Sequence, residues 1–160
     1  MNALRTVSLL AATITTGLVA GVFGLYAHTI MPGLGKTDDR TFVGSFQAID
    51  RAIINPWFIG LGFFGALVFT LIAGISHLGR TGFVWIAVAF VLYLVTVIIT
   101  VTINVPLNDA IKAAGDPDSI DVAAVREAFD EARWKTVNLI RVFLSTSAFG
   151  LLAWALRATK

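Results

Sequence analysis

A chain with two histidines, ten acids and no cysteine offers few chemical constellations. Those it offers lie near the ends of long apolar runs. Asn104 and Asn108 stand four apart around Pro106, and Trp134, Asn138 and Arg141 follow at i, i+4 and i+7. On helices each set shares one face. Pro106 bends its segment and frees a backbone carbonyl, so amides and carbonyl together form a neutral hydrogen-bonding lining. Arg141 falls about 6 Å into the following apolar run at a helical rise of 1.5 Å per residue. Ionisable groups at such depth are costly and mark candidate sites. Its candidate partners are Asp50, Asp109 and the carbonyls around Pro106. Such a cluster can hold a polar or enolate-like oxygen while Trp134, Phe46 and Phe42 enclose an apolar ring. Gln47 and Asp50, three apart, would complete its lid. The same residues also suit a plainer role, locking two helices together.

His28 and His77 are assigned to opposite ends of the apolar runs and cannot share a metal. A mononuclear site would need His28 with carboxylates such as Asp50 or Asp109. Against it stands His28 as an interfacial residue or one bonded to an outer loop, and no metal is assigned. Without cysteine there is no disulfide, thiolate site, thiol nucleophile or covalently attached c-type haem. No Ser-His-Asp arrangement can be read from spacing.

The elements that must position these residues follow from composition. Of the 160 residues, 57% are hydrophobic and 14% charged, against about 45–50% and about 25% in soluble domains. Disorder is excluded by the hydrophobicity and a multidomain enzyme by the length. Four apolar runs, at residues 4–27, 57–76, 83–103 and 137–156, approach or exceed the roughly 20 residues that cross a bilayer. The first is read as a retained anchor, being too long for a signal-peptide core and lacking a clear cleavage site. Between the runs, Phe42, Phe46, Ile49 and Ile53 recur at helical spacing, as do Val122, Val125, Phe129 and Ala132. The expectation is an all-α integral membrane four-helix bundle forming one domain. Two short amphipathic helices, at residues 41–54 and 121–133, should cap its outer face.

An even number of spans puts both termini on one side with the short connection at residues 77–82. That side carries Arg5, Arg80, Arg157 and Lys160 and no acid, while the other holds eight bases and all ten acids. Short acid-free connections tilt the reading toward cytoplasmic termini in a bacterial inner membrane, with the long loops periplasmic or exterior. The lipid bilayer and a small lipophilic molecule are the expected partners.

Two motifs imitate nucleotide sites. Gly60-Leu61-Gly62-Phe63-Phe64-Gly65 matches a dinucleotide fingerprint, and Gly35-Lys36-Thr37 the end of a phosphate-binding loop. Neither follows a buried strand, so neither has the backbone geometry to bind phosphate. No nucleic acid or nucleotide is expected. Gly17, Gly21, Gly24 and the Gly60 to Gly65 face suit close helix packing, within the chain or against a homo-oligomer or complex partner.

Asn104-Val105-Pro106-Leu107-Asn108, followed by the Trp134, Asn138, Arg141 spacing, resembles the anthrone oxygenase-like family of small four-span membrane proteins. Phe46-Gln47-Ala48-Ile49-Asp50-Arg51 with Asn55-Pro56 fits the same pattern. The resemblance implies oxidation of an anthrone to an anthraquinone by molecular oxygen, without a recognised cofactor, although many members have no assigned activity. It implies that Asn104, Asn108, Trp134, Asn138 and Arg141 line the site. On this view His28 or Asp50 is the base, Arg141 holds the oxyanion, and Gln47 contributes to binding. The expected function is an oxygenase or oxidoreductase acting on a small, apolar, aromatic substrate at the outer mouth of the bundle. A non-enzymatic scaffold and a carrier of lipophilic ligands are the alternatives.

Overall fold

The structure, a computed structural model, describes residues 3–158. Its helices are α1 (Ala3–Leu34), α2 (Asp39–Ile53), α3 (Pro56–Ser76), α4 (Phe83–Ala113), α5 (Val122–Phe129) and α6 (Glu131–Ala158). There is no strand among the described residues. The long helices α1, α3, α4 and α6 carry the segments long and apolar enough to cross a membrane. With large residues such as Val7, Ile14, Ile75, Val84 and Phe143 exposed on their flanks, this is an integral membrane protein, because only a bilayer covers so much apolar surface. Exposed Trp57 lies toward one end of the bundle and Trp85 and Trp154 toward the other, as interfacial aromatic belts do.

The bundle closes as a ring in which α1 packs on α6 and α3, and α4 packs on α6 and α3. Ala12, Ala66, Ala73, Ala89, Ala148 and Ala155 are buried at these seams, where small side chains let backbones approach. Gly17 is used in the same way, since a Cβ there would lie 2.9 Å from the Phe149 ring. Gly21, Gly24 and Gly60 have open space where a Cβ would project. Those three glycines are therefore not used in close packing among the described residues, whereas Gly17, Gly62 and Gly65 are.

Three helices are interrupted by π-helical turns, at Tyr26–Ile30 in α1, Pro56–Phe64 in α3 and Thr100–Asn104 in α4. Two of these have a visible cause. Pro32 and Pro106 each lie two residues beyond a π-turn and cannot donate to the helical ladder. The chain relaxes by wider bonds instead, Met31 N–H to the Tyr26 carbonyl and Val105 N–H to that of Thr100. This lets α1 continue well past the apolar run ending at residue 27, and α4 past the one ending at residue 103. Pro56 has a different place, at the start of α3 beside the N-capping side chain of Asn55.

The cap end carries α2 and α5. Asp38 caps α2 by accepting from Thr41 N–H at 3.0 Å, and this bond with the Thr41 hydroxyl holds its carboxyl below the usual range. Asp121 caps α5 through Ala124 N–H. The amphipathic segment expected at residues 121–133 is divided, because Asp130 takes a left-handed conformation with φ 51°. Its carboxylate then accepts from Arg133 N–H at the start of α6, so Ala132 and Arg133 belong to the spanning helix. Arg126 ties the cap together: it donates to the Thr37 carbonyl at 3.0 Å and to Asp39 at 2.9 Å, pairs with Glu131, and stacks 4.3 Å over Phe42.

Candidate functional site

The three π-turns meet at one place. Each contributes to a cavity of about 160 Å³ under the cap: Tyr26 from α1, Phe58, Ile59, Phe63 and Phe64 from α3, and Thr100 and Val101 from α4. The concentration is consistent with the use of π-turns to reshape helices at functional sites. Asp50 and Ile53 close the cavity from α2, Asn108 and Lys112 from the cap end of α4, and Trp134 and Arg141 from α6.

The polar wall is one connected chain. Trp134 Nε1 donates to Asn108 Oδ1 at 2.8 Å, and Asn108 Nδ2 donates to Asp50 Oδ1 at 2.7 Å. Lys112 Nζ lies 2.8 Å from Asp50 Oδ2 and 3.0 Å from Asp109 Oδ1. Asn108 is the keystone, since its amide is fixed in one orientation by a donor on one side and an acceptor on the other. Asp50 is buried and is offset by the ammonium of Lys112, as a buried carboxylate requires.

Arg141 is different. It is 4% exposed, donates to Asn138 Oδ1 at 2.7 Å and to Thr100 Oγ1 at 3.3 Å, and pairs with no carboxylate among the described residues. Its Nε is buried without a hydrogen-bond partner among the described residues. Its guanidinium lies 4.3 Å from the Phe23 ring centroid and 5.5 Å from that of Trp134, so aromatic faces supply part of the missing counter-charge. Tyr26 lines the same cavity as Asp50 and Arg141, and its ring lies 5.6 Å from that of Trp134.

The expected site residues divide. Asp50, Asn108, Trp134 and Arg141 come together on the cavity wall. Asn138 stands behind it, fully buried, holding Arg141 with its oxygen and donating to the Phe23 carbonyl at 3.1 Å. Asn104 is also behind the wall, 1% exposed, with neither amide atom hydrogen-bonded among the described residues. His28 does not line the cavity: it is exposed on the π-turn and bonded to the neighbouring Thr29 hydroxyl at 2.6 Å. No group of three or more potential His, Asp or Glu metal ligands converges among the described residues.

Gln47 also lies elsewhere. It donates to the carbonyls of Ile111 at 2.8 Å and Gly115 at 3.0 Å, satisfying acceptors that the end of α4 leaves open. Gln47→Leu should therefore lower stability by about 1–3 kcal/mol through the stranded carbonyls, with ligand affinity at the cavity unchanged. Chemical denaturation and a binding titration on one preparation would check both. Phe42 and Phe46 likewise pack with Phe129 and Trp134 in a separate aromatic core. Their places around the cavity are taken by Phe23, Phe58, Phe63 and Phe64.

Tyr26, Thr100 and Lys112 are the polar wall residues that sequence reasoning missed. Lys112 carried a usable signal, four residues after Asn108 and so on its helix face. Tyr26 stood two residues before His28, at the same end of the same apolar run.

The fold and this wall define a class: a small four-span membrane protein with a buried polar and aromatic cavity beneath a helical cap. A family model described as anthrone oxygenase matches residues 52–151, and the chain belongs to that family. The matched stretch includes Asn104, Asn108, Trp134, Asn138 and Arg141 but begins just after Asp50 and Arg51. Neither a curated protein nor a solved structure matches.

Proposed function

We propose that the chain is a membrane oxygenase that oxidises an activated C–H of a lipophilic aromatic ketone or phenol with dioxygen. The observation that carries this reading is the juxtaposition, on one apolar cavity, of the Asp50 carboxylate with an Arg141 cation that has no carboxylate partner among the described residues. A base and an oxyanion holder are what such chemistry requires.

Asp50 removes a proton from the methylene beside the ring, and the electron pair passes to the carbonyl, giving an enolate. Arg141 and Tyr26 stabilise its oxygen. The electron-rich anion reduces dioxygen and bonds to it through carbon, forming a peroxide whose terminal oxygen takes the proton back from Asp50. Loss of the second methylene hydrogen as a proton, with cleavage of the O–O bond, yields a ketone and water. The balance is CH2 + O2 → C=O + H2O. Asn108 fixes Asp50 and Trp134, Asn138 fixes Arg141, and the phenyl rings exclude water from the anion. The acid-free termini support an orientation with the cap facing outward.

Turnover of an anthrone under 18O2 by the protein in lipid nanodiscs tests the reading. One labelled atom should enter the new carbonyl and one O2 should be consumed per quinone, at a rate well above the uncatalysed reaction. Label arriving from water, or a rate equal to that of empty nanodiscs, would refute it.

A further inference from the structure

The cavity has a side opening that catalysis within it does not explain. The π-helical part of α3 packs on α1, and that of α4 packs on α6, whereas these two parts barely touch each other. The seam between α3 and α4, closed along its inner half, is therefore open beneath the cap. Ile54, Phe64, Val101 and Val105 border the cavity there and are 56%, 44%, 49% and 38% exposed. In a spanning bundle such exposed apolar side chains face acyl chains. The opening thus leads into lipid, while Asp109 and Lys112 form the separate polar rim toward the cap.

The enclosed volume limits what fits. At about 160 Å³ it resembles an engineered cavity of about 150 Å³ that takes a single benzene ring. Three fused rings exceed it. Arg141 lines the cavity without a carboxylate bonded to it among the described residues, and so calls for an oxygen on whatever ring enters.

Resting on the oxygenase reading, we infer that the ligand is an extended lipophilic hydroxyarene drawn sideways from the bilayer between α3 and α4. One ring is enclosed with its oxygen toward Arg141, and the remaining rings or alkyl chain lie in the opening among the lipids. Specificity then has two separable parts, an oxygen read by Arg141 and a tail read by the seam.

A 2-nitrophenol bearing a long 4-alkyl chain is the probe, because its phenolate absorbs in the visible. It is titrated into the protein in phosphatidylcholine nanodiscs, with empty nanodiscs as the blank and 2-nitrophenol and the alkyl methyl ether as comparisons. The wild type should bind the alkyl phenol at least tenfold more tightly than either comparison and show the phenolate band. Val101→Trp, at a cavity-lining position that is also lipid-exposed, should weaken the alkyl phenol at least tenfold more than it weakens 2-nitrophenol. Val105→Trp should act likewise if Val101→Trp fails to fold. Arg141→Gln should remove the phenolate band and the preference over the ether. Unchanged alkyl-phenol binding in a folded Trp variant, with the Arg141 effect intact, overturns the lateral route and leaves the oxyanion site standing. An unchanged phenolate band in Arg141→Gln overturns the oxygenase reading itself.

Discussion

Arg141→Leu is expected to lower anthrone turnover by about 10²–10³-fold, the loss seen when one preorganised oxyanion donor is removed, while the protein stays folded. The two halves of this expectation separate function from helix locking. Arg141 is buried with hydrogen bonds to Asn138 and Thr100 but without a carboxylate, so the folded state bears most of its desolvation. Replacing it with an apolar side chain relieves that cost and strands the Asn138 oxygen, which costs about 1–3 kcal/mol. The opposing terms are of similar size, and the melting temperature should move by only a few degrees. A structural lock predicts the reverse pattern, with a large loss of stability and activity falling only in proportion to the unfolded fraction. Turnover measured per folded molecule, with the melting curve taken on the same nanodiscs, distinguishes the two. Retained turnover in a folded Leu variant would sink the oxyanion role.

The uneven legibility of this site has physical causes. The four spans were readable because apolar runs of bilayer length have no alternative place to go. The set Trp134, Asn138 and Arg141 was readable because α6 is regular from Glu131 onward, so its spacing in sequence is its spacing on a face. The π-turns were not readable: each widens the helix locally and turns residues such as Tyr26 and Thr100 away from their 3.6-residue register. Asn104 lies at the end of such a turn and Asn108 beyond it. Only Asn108 reaches the cavity wall, although the two share a face by simple spacing.

Long-range partners were hidden for another reason. Gln47 and Asp50 share the buried side of α2, yet one meets the end of α4 and the following loop while the other meets Asn108 and Lys112. Nothing in the spacing of α2 distinguishes a lid residue from a latch. His28 drew notice as a titratable group near a mouth, and the π-turn carrying it presents Tyr26 to the cavity and leaves His28 exposed. The charge asymmetry, by contrast, was informative because acids at the cap end are consumed there: Asp38 and Asp121 as helix caps, Asp39 and Glu131 on Arg126, and Asp50 and Asp109 on Lys112.

Asp50→Asn is expected to lower turnover by about 10²–10⁴-fold, the usual contribution of a positioned general base. The change is nearly isosteric and the new amide oxygen can still accept from Asn108, but the new NH2 group then faces the Lys112 ammonium, a donor against a donor. Lys112 loses one of its two carboxylates but retains Asp109, which limits the cost of removing a charge. Asn108→Ala gives the contrast. It leaves the carboxylate in place but strands Trp134 Nε1 and one oxygen of Asp50, each worth about 1–3 kcal/mol when left without a partner in the interior. That variant should therefore lose stability as well as activity, whereas Asp50→Asn, with Lys112 still held by Asp109, should lose activity far more than its weakened Lys112 contact costs in stability. A substrate deuterated at the reacting methylene sharpens the comparison. With Asp50 removed, proton abstraction becomes the slow step and the primary isotope effect on kcat should reach its full size. With Asn108 removed, the base remains but is poorly held, and KM should rise together with a smaller fall in kcat. Wild-type kcat in a folded Asp50→Asn variant would assign proton removal to another group and leave Asp50 as the counter-charge of Lys112.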